Sequence, residues 1–205
     1  KCKMRNIKIF TYLKIILFLL LVFVAVYYPT NEFDVITSNL LQIKILGQTA
    51  KIISTIFNDK ILLLIMVLLS AFLFWIKEAK KAIFIFFSAG FGGLFLFVIK
   101  YTVQRVRPLP EVFSGYSFPS GHSTIIVVFF LSLLFIINKK EILSILATFA
   151  IIAVPISRVV LGAHFLSDVI AGLLLGSIVV DFMKVYYKKI YNIIRSIIGE
   201  NKWIS

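Results

Sequence analysis

The chain has 205 residues, of which 60% are hydrophobic, 15% aromatic and only 15% charged, with a mean hydropathy of +1.02. Soluble domains are about half apolar and a quarter charged, so this composition excludes an ordinary soluble globular enzyme and points to a membrane chain. The 22 Lys and Arg against 9 Asp and Glu leave a formal charge of +13, which in a membrane protein reads as cytoplasmic loop charge and not as a nucleic-acid footprint. One cysteine, Cys2, allows no intrachain disulfide, and two histidines without a Cys/His cluster offer no structural zinc pattern.

Six apolar runs follow one another: residues 9–28, 61–76, 82–99, 123–137, 142–156 and 169–180, the last extended by Phe182 and Met183. A bilayer takes about 20 helical residues, so the last three runs must borrow polar residues at their ends. The expected fold is all-α, a polytopic membrane protein with six transmembrane helices in one domain over residues 1–205. The first run follows Lys1, Lys3, Arg5 and Lys8, a pattern shared with secretory signal peptides. Its length, and the lack of a small-x-small cleavage site near Val26-Tyr27-Tyr28, favour a retained helix. Cys2 precedes the run, unlike a lipoprotein acylation site. Between the first two runs, Glu32, Asp34, Lys44, Lys51 and Asp59 alternate with apolar residues, which suggests a short amphipathic helix at the outer interface. Gly172 and Gly176 have the G-x-x-x-G spacing of a close helix contact, and 90–93 is a second small-residue stretch.

Assigning the Lys and Arg alternately to the two sides puts fifteen on the side of the N-terminus, the turns at 77–81 and 139–140, and the C-terminal tail. That side is therefore expected to be cytoplasmic, with both termini on it. The other side keeps Lys44, Lys51, Lys60, Lys100, Arg105, Arg107 and Arg158. Nearly every ionisable residue without a topological role falls at 100–122 or 157–168, at the ends of four runs on this same face, and such residues are functional candidates by default.

The spacings carry chemistry. His164 and Asp168 are i and i+4 on one helical face, so the carboxylate can take the Nδ1 proton and leave Nε2 as a nucleophile. Pro119-Ser120-Gly121-His122 reads as a turn into a helix N-terminus, where Ser120 can cap and free N–H groups can face an anion. Lys100, Arg107 and Arg158 are three cations near lipid that need an anion, and one Asp is not enough; a dianionic phosphoryl group fits. Taken alone, Arg105 and Glu111 read as solvated charges or headgroup contacts, and Asp59 and Asp181 as helix-end caps or neighbours of the topology charges.

Lys-x6-Arg-Pro at 100–108, Pro-Ser-Gly-His at 119–122 and Ser-Arg-x5-His-x3-Asp at 157–168, in this order, resemble the three-part signature of the type 2 phosphatidic acid phosphatase (PAP2) superfamily. That family includes lipid phosphate phosphatases, bacterial acid phosphatases and vanadium haloperoxidases. The resemblance implies an integral-membrane phosphatase in which His164 attacks phosphorus, Asp168 orients it, and His122 protonates the departing oxygen and then activates water. It further implies that Lys100, Arg107, Ser120, Gly121, Ser157 and Arg158 hold the phosphoryl oxygens, without metal or cofactor. The expected partners are a lipid phosphate substrate and the bilayer, and no nucleic acid. The expected location is the cytoplasmic membrane, with the active site on the outer face. Undecaprenyl pyrophosphate or phosphatidylglycerophosphate is the favoured substrate, ahead of phosphatidate, diacylglycerol pyrophosphate and lipid A 1-phosphate. The alternatives are a phosphotransferase of the same fold and a membrane transporter.

Overall fold

A computed structural model describes residues 2–42, 44–137 and 141–198, with the side chains of 2–8, 44 and 198 left aside. Lys1, Lys139, Lys140 and Lys202 of the charge count lie outside the described residues. The described residues form eight α-helices: α1 (Cys2–Tyr27), α2 (Glu32–Leu41), α3 (Gly47–Ile56), α4 (Asp59–Trp75), α5 (Ala79–Val103), α6 (Gly121–Ile136), α7 (Glu141–Val160) and α8 (Leu166–Ile198). A single 3₁₀ turn at Lys44–Leu46 precedes α3.

Among the described residues, five segments are long and apolar enough to cross a membrane: Ile9–Tyr27, Gly47–Trp75, Ala79–Val103, Glu141–Val160 and Leu166–Ile197. The sixth expected span is α6, which has 16 residues and falls short of that length. It packs against α4, α5, α7 and α8. Ile125, Ile126 and Val128 on it are fully buried. A helix surrounded by protein need not match the thickness of the lipid. The outer helices behave in the opposite way: Phe10, Leu17, Leu20 and Phe23 of α1, and Ile145, Phe149 and Ile152 of α7, are exposed, as an apolar solvent permits.

Two large apolar cores hold the described helices together, beside a small third cluster at Ala79 and Tyr191. One joins Phe18, Met66, Phe84, Ile85, Phe118, Leu175 and Met183; the other joins Leu62, Ile125, Ile126, Phe130, Ala150 and Val154. Between α6 and α8 the helices meet at glycine. A Cβ on Gly172 would lie 2.7 Å from the Ser120 carbonyl oxygen, and one on Gly176 would lie 2.5 Å from the Thr124 carbonyl oxygen. The G-x-x-x-G spacing is thus a backbone contact, and it brings the start of α6 against the start of α8. Ser120 N donates to the Asp168 carbonyl (3.0 Å), closing that junction. On the opposite side of the bundle Asp181 of α8 bonds Lys14 (2.6 Å) and Thr11 (3.2 Å) of α1, so Asp181 is a cross-helix ion partner and not an end cap.

The segment between α1 and α4 departs from expectation. It is two helices, not one, and its polarity is inverted: Asp34 and Ser38 are buried while Phe33, Ile36 and Leu40 are exposed. The cause is a buried cation, described below.

Gly176→Ala should destabilise the protein by about 1–3 kcal/mol, because the methyl meets backbone and not a movable side chain. A thermal scan in detergent checks this, and a Tm unchanged from wild type contradicts the contact.

Candidate active site

Four helix ends and two loops converge. Lys100 lies in the last turn of α5, which ends at Gln104 in the left-handed region (φ 52). Its ammonium donates to the carbonyls of Tyr116 (2.8 Å) and Pro119 (3.1 Å), pinning the loop that leads into α6. Ser120 then caps α6, accepting from Ser123 N and Ser123 Oγ (3.0 Å) as the sequence predicted. Lys100 is within electrostatic reach of Arg107, Asp168, Asp59 and Arg158, so the separated motifs form one cluster.

Arg107 leaves the α5–α6 loop and donates to the carbonyls of Ser114 (3.0 Å), Gly115 (3.1 Å) and Ala163 (2.8 Å). It also reaches Nε2 of His164 at 3.2 Å. A guanidinium has donors only, so this contact requires Nε2 to be the acceptor and puts the ring proton on Nδ1. Nδ1 faces Asp168 Oδ2 at 3.7 Å and makes no hydrogen bond. The expected i,i+4 pairing is therefore present, but its closing bond is not made. Asp168 Oδ2 accepts instead from Phe165 N (2.9 Å). The His164 backbone is set by Arg158, whose carbonyl accepts from Ala163 N (3.1 Å) and His164 N (3.3 Å). Gly162 makes this turn possible: its φ is +68, and a Cβ would lie 2.5 Å from Leu109 of the facing loop.

His164 is almost wholly buried, and this burial pushes its pKa down to about 3, against the pull of Asp168. Burial likewise draws Arg107 below its usual value, partly offset by Asp168 and Asp59. The imidazole is thus neutral across the physiological range, as a nucleophile requires.

Arg158 lies in the last turn of α7 behind Pro155. One of its terminal nitrogens bonds Ser54 Oγ of α3 (2.5 Å), its guanidinium sits 5.7 Å from the Phe113 ring, and its Nε is buried without a hydrogen-bond partner. His122, in the first turn of α6, faces Asp59 of α4, with Nδ1 3.6 Å from Oδ2. Ser157 is not brought to the cluster by its hydroxyl, which donates to the Val154 carbonyl (2.7 Å). It borders a separate apolar groove with Ala50, Ile53 and Val160.

Arg105 overturns the expectation of a solvated charge. It is 2% exposed and donates through Nε to Pro29 O (2.9 Å), through one terminal nitrogen to Ser167 Oγ and Asp168 Oδ1 (both 2.7 Å), and through the other to Asp34 Oδ2 (2.8 Å). The Phe165 ring covers its face at 4.3 Å. Asp34 in turn accepts from Ser167 N (2.9 Å) and Ser167 Oγ (2.5 Å) at the start of α8. Burial opposes the Asp34 charge, but the hydrogen bonds from Arg105, Ser167 and Asn31 outweigh it and hold the carboxyl below its usual range. No sequence signal marked Asp34, Arg105 or Ser54 as partners, because nothing in their spacing relates residues so far apart along the chain.

With this geometry in view, similarity to known proteins becomes specific. A model of the PAP2 superfamily matches residues 81–191, just over half of the chain. The chain belongs to the PAP2 superfamily. It is 34% identical over 140 residues to phosphatidylglycerophosphatase B of Bacillus subtilis (strain 168), covering 63% of this chain and 69% of that protein. It is 35% identical over 107 residues to lipid A 1-phosphatase of Rhizobium johnstonii, covering 46% of this chain and 43% of that protein. The chain thus spans less than half the length of that relative. The crystal structure of a transmembrane PAP2-type phosphatidylglycerolphosphate phosphatase from Bacillus subtilis superposes with a TM-score of 0.75 at 27% identity, covering 88% of this chain and 96% of that one.

Two predictions follow from the burial. Arg105→Ala leaves Asp34 and Asp168 buried without their cation and should cost about 3–5 kcal/mol, read as a fall in Tm. Between about pH 6.5, the ordinary imidazole value, and pH 3, the unfolded chain binds a proton that folded His164 refuses. Stability should therefore fall on acidification below about pH 6.5, by up to about 1.4 kcal/mol per pH unit from this group. Thermal scans at about pH 7.5 and 5 should show this loss, and His164→Asn should reduce it; an equal loss in that variant contradicts the assignment.

Proposed function

We propose that the protein is an integral-membrane lipid phosphate phosphatase working through a phosphohistidine at His164. The observation that carries this reading is the Arg107 contact to Nε2 of the buried His164, 3.2 Å long, beside Asp168. It pairs a fixed cation with a neutral nitrogen whose lone pair is directed at it, and a phosphoryl group entering between them meets charge and nucleophile together. Arg158 Nε, buried and unpaired, has a hydrogen bond to give to an anion in the same cluster.

In the proposed first step the Nε2 lone pair of His164 forms a bond to phosphorus while the bond from phosphorus to the lipid oxygen breaks, and that oxygen takes a proton from His122. In the second step His122 takes a proton from water, the hydroxide oxygen bonds to phosphorus, and the phosphorus–Nε2 bond breaks, releasing inorganic phosphate. Asp168 supports the charge that develops on His164 during transfer. Lys100, Arg107 and Arg158, with the Ser120 hydroxyl and the N–H groups at Gly121 and His122, stabilise the phosphoryl oxygens. These cations supply the charge that a metal would otherwise bring, so the proposed reaction needs none. Ser157, whose hydroxyl donates to the Val154 carbonyl, joins them by turning that hydroxyl to the phosphate.

The same reading takes α1, α3–α4, α5, α6, α7 and α8 as six spans, with both termini in the cytoplasm and the site facing outward across the cytoplasmic membrane. The loop charge distribution supports that orientation. Phosphatidylglycerophosphate is the first substrate to test, in line with the activity named for the Bacillus relatives, and undecaprenyl pyrophosphate and lipid A 1-phosphate come next.

Phosphate release from a panel of these lipids should be robust with purified wild type and absent with His164→Ala. Activity retained in His164→Ala, or no release from any lipid by wild type, contradicts the proposal. His122→Ala should lose monoester hydrolysis, by about 10²–10⁴-fold as for a lost general acid, while keeping more activity on pyrophosphates, whose leaving group needs less help. Equal loss on both substrates contradicts the acid role.

A further inference from the structure

The cation cluster contains a second carboxylate, and the reaction above does not use it. Asp59 opens α4, but it does not cap the helix: Asn58 does, accepting from Lys60 N (3.0 Å) and Ile61 N (3.4 Å). Asp59 Oδ1 accepts from Lys60 N (3.0 Å), while Oδ2 points across to the start of α6 and lies 3.6 Å from Nδ1 of His122. A Cβ at position 121 would lie 2.5 Å from that same oxygen, so Gly121 is what admits the carboxylate to the α6 N-terminus. The positive end of a helix is a favourable place for it. Asp59 also lies within electrostatic reach of Lys100 and Arg158.

We propose that Asp59 is the positioning residue of His122, holding Nδ1 so that Nε2 works on the leaving oxygen and then on water. The site then contains two His–Asp pairs of matching geometry, His164–Asp168 at 3.7 Å and His122–Asp59 at 3.6 Å. Both distances exceed a formed hydrogen bond, and catalytic hydrogen bonds commonly tighten only when substrate is bound. As His122 alternates between imidazolium and imidazole, Asp59 stabilises the charged form and selects the neutral tautomer with its proton on Nδ1. No bond to substrate passes through Asp59. Its charge also changes the count made from sequence: Asp34 and Asp168 share Arg105, and Asp59 adds a further carboxylate within reach of Lys100 and Arg158.

The proposal rests on the phosphohistidine reading, and its test separates the two. Asp59→Asn keeps the shape and removes the charge, and its Tm should stay near that of wild type because Asp59 is only partly buried. With a dialkyl phosphatidate in detergent micelles, its kcat should fall by about 10–100-fold while KM changes by less than about threefold. With p-nitrophenyl phosphate, whose leaving group needs no proton, the initial burst of p-nitrophenolate should persist while the steady rate slows. On a His122→Ala background the Asp59→Asn change should cost nothing further, since a residue acting through another has no effect once that residue is gone. A full additional loss on that background, a lost burst, or wild-type kcat in Asp59→Asn would each overturn the proposal. Activity retained in His164→Ala in the same assays would instead overturn the phosphohistidine reading and leave the Asp59 result to be judged by the double variant alone.

Discussion

A guanidinium closed off from solvent between two carboxylates sets the geometry of the end of the bundle that carries the candidate site. Arg105 reaches Asp34 and Asp168 with bonds of 2.8 and 2.7 Å, and all three side chains are buried. Charges taken out of water are tolerated only when paired and fully hydrogen-bonded. Pro29, Ser167 and the face of Phe165 complete the set for Arg105. Three consequences follow. The α1–α2 turn is tied down, α2 turns its polar side inward, and Asp168 is fixed on one oxygen before it meets His164. The inversion of α2 thus has a stated cause: its Asp34 is needed inside more than at the interface.

The remaining framework is steric. In an apolar solvent helices gain little by hiding apolar side chains from their surroundings, so close backbone approach and polar contacts decide which helices meet. Gly172 and Gly176 let α8 lie against the first turns of α6, and the Ser120–Asp168 backbone bond sits at that contact. The starts of two helices carrying His122 and Asp168 are thereby held together, and Gly162 brings the 109 loop onto the turn bearing His164. Three glycines bring these parts of the site together.

Within that framework the cations are restrained by groups that are not their chemical targets. Lys100 is held by two loop carbonyls, and Arg107 by three. Positive charge fixed before an anion arrives does not have to reorganise when negative charge develops, which is the main electrostatic advantage available to phosphoryl transfer. Burial keeps His164 neutral, with its pKa about 3, so the imidazole sits among cations without adding to them.

The three motifs were legible in the sequence because each is local. His164 and Asp168 share a helical face, Ser120 precedes a helix start, and Lys100, Arg107 and Arg158 stand at the ends of apolar runs. Hydropathy likewise revealed the long helices, since length and apolarity are properties of a stretch of chain. Tertiary structure decided the rest. It turned Arg105 from a loop charge into a buried ion partner, gave Asp59 a histidine in place of a cap, drew Ser54 to Arg158, and turned the Ser157 hydroxyl back to its own helix. Those outcomes depend on which helix ends touch, and that is set by glycine contacts and by ion pairing between distant segments, such as Arg105 with Asp34 and with Asp168, 71 and 63 residues away. Sequence spacing encodes what one helix can present; only packing determines what it meets.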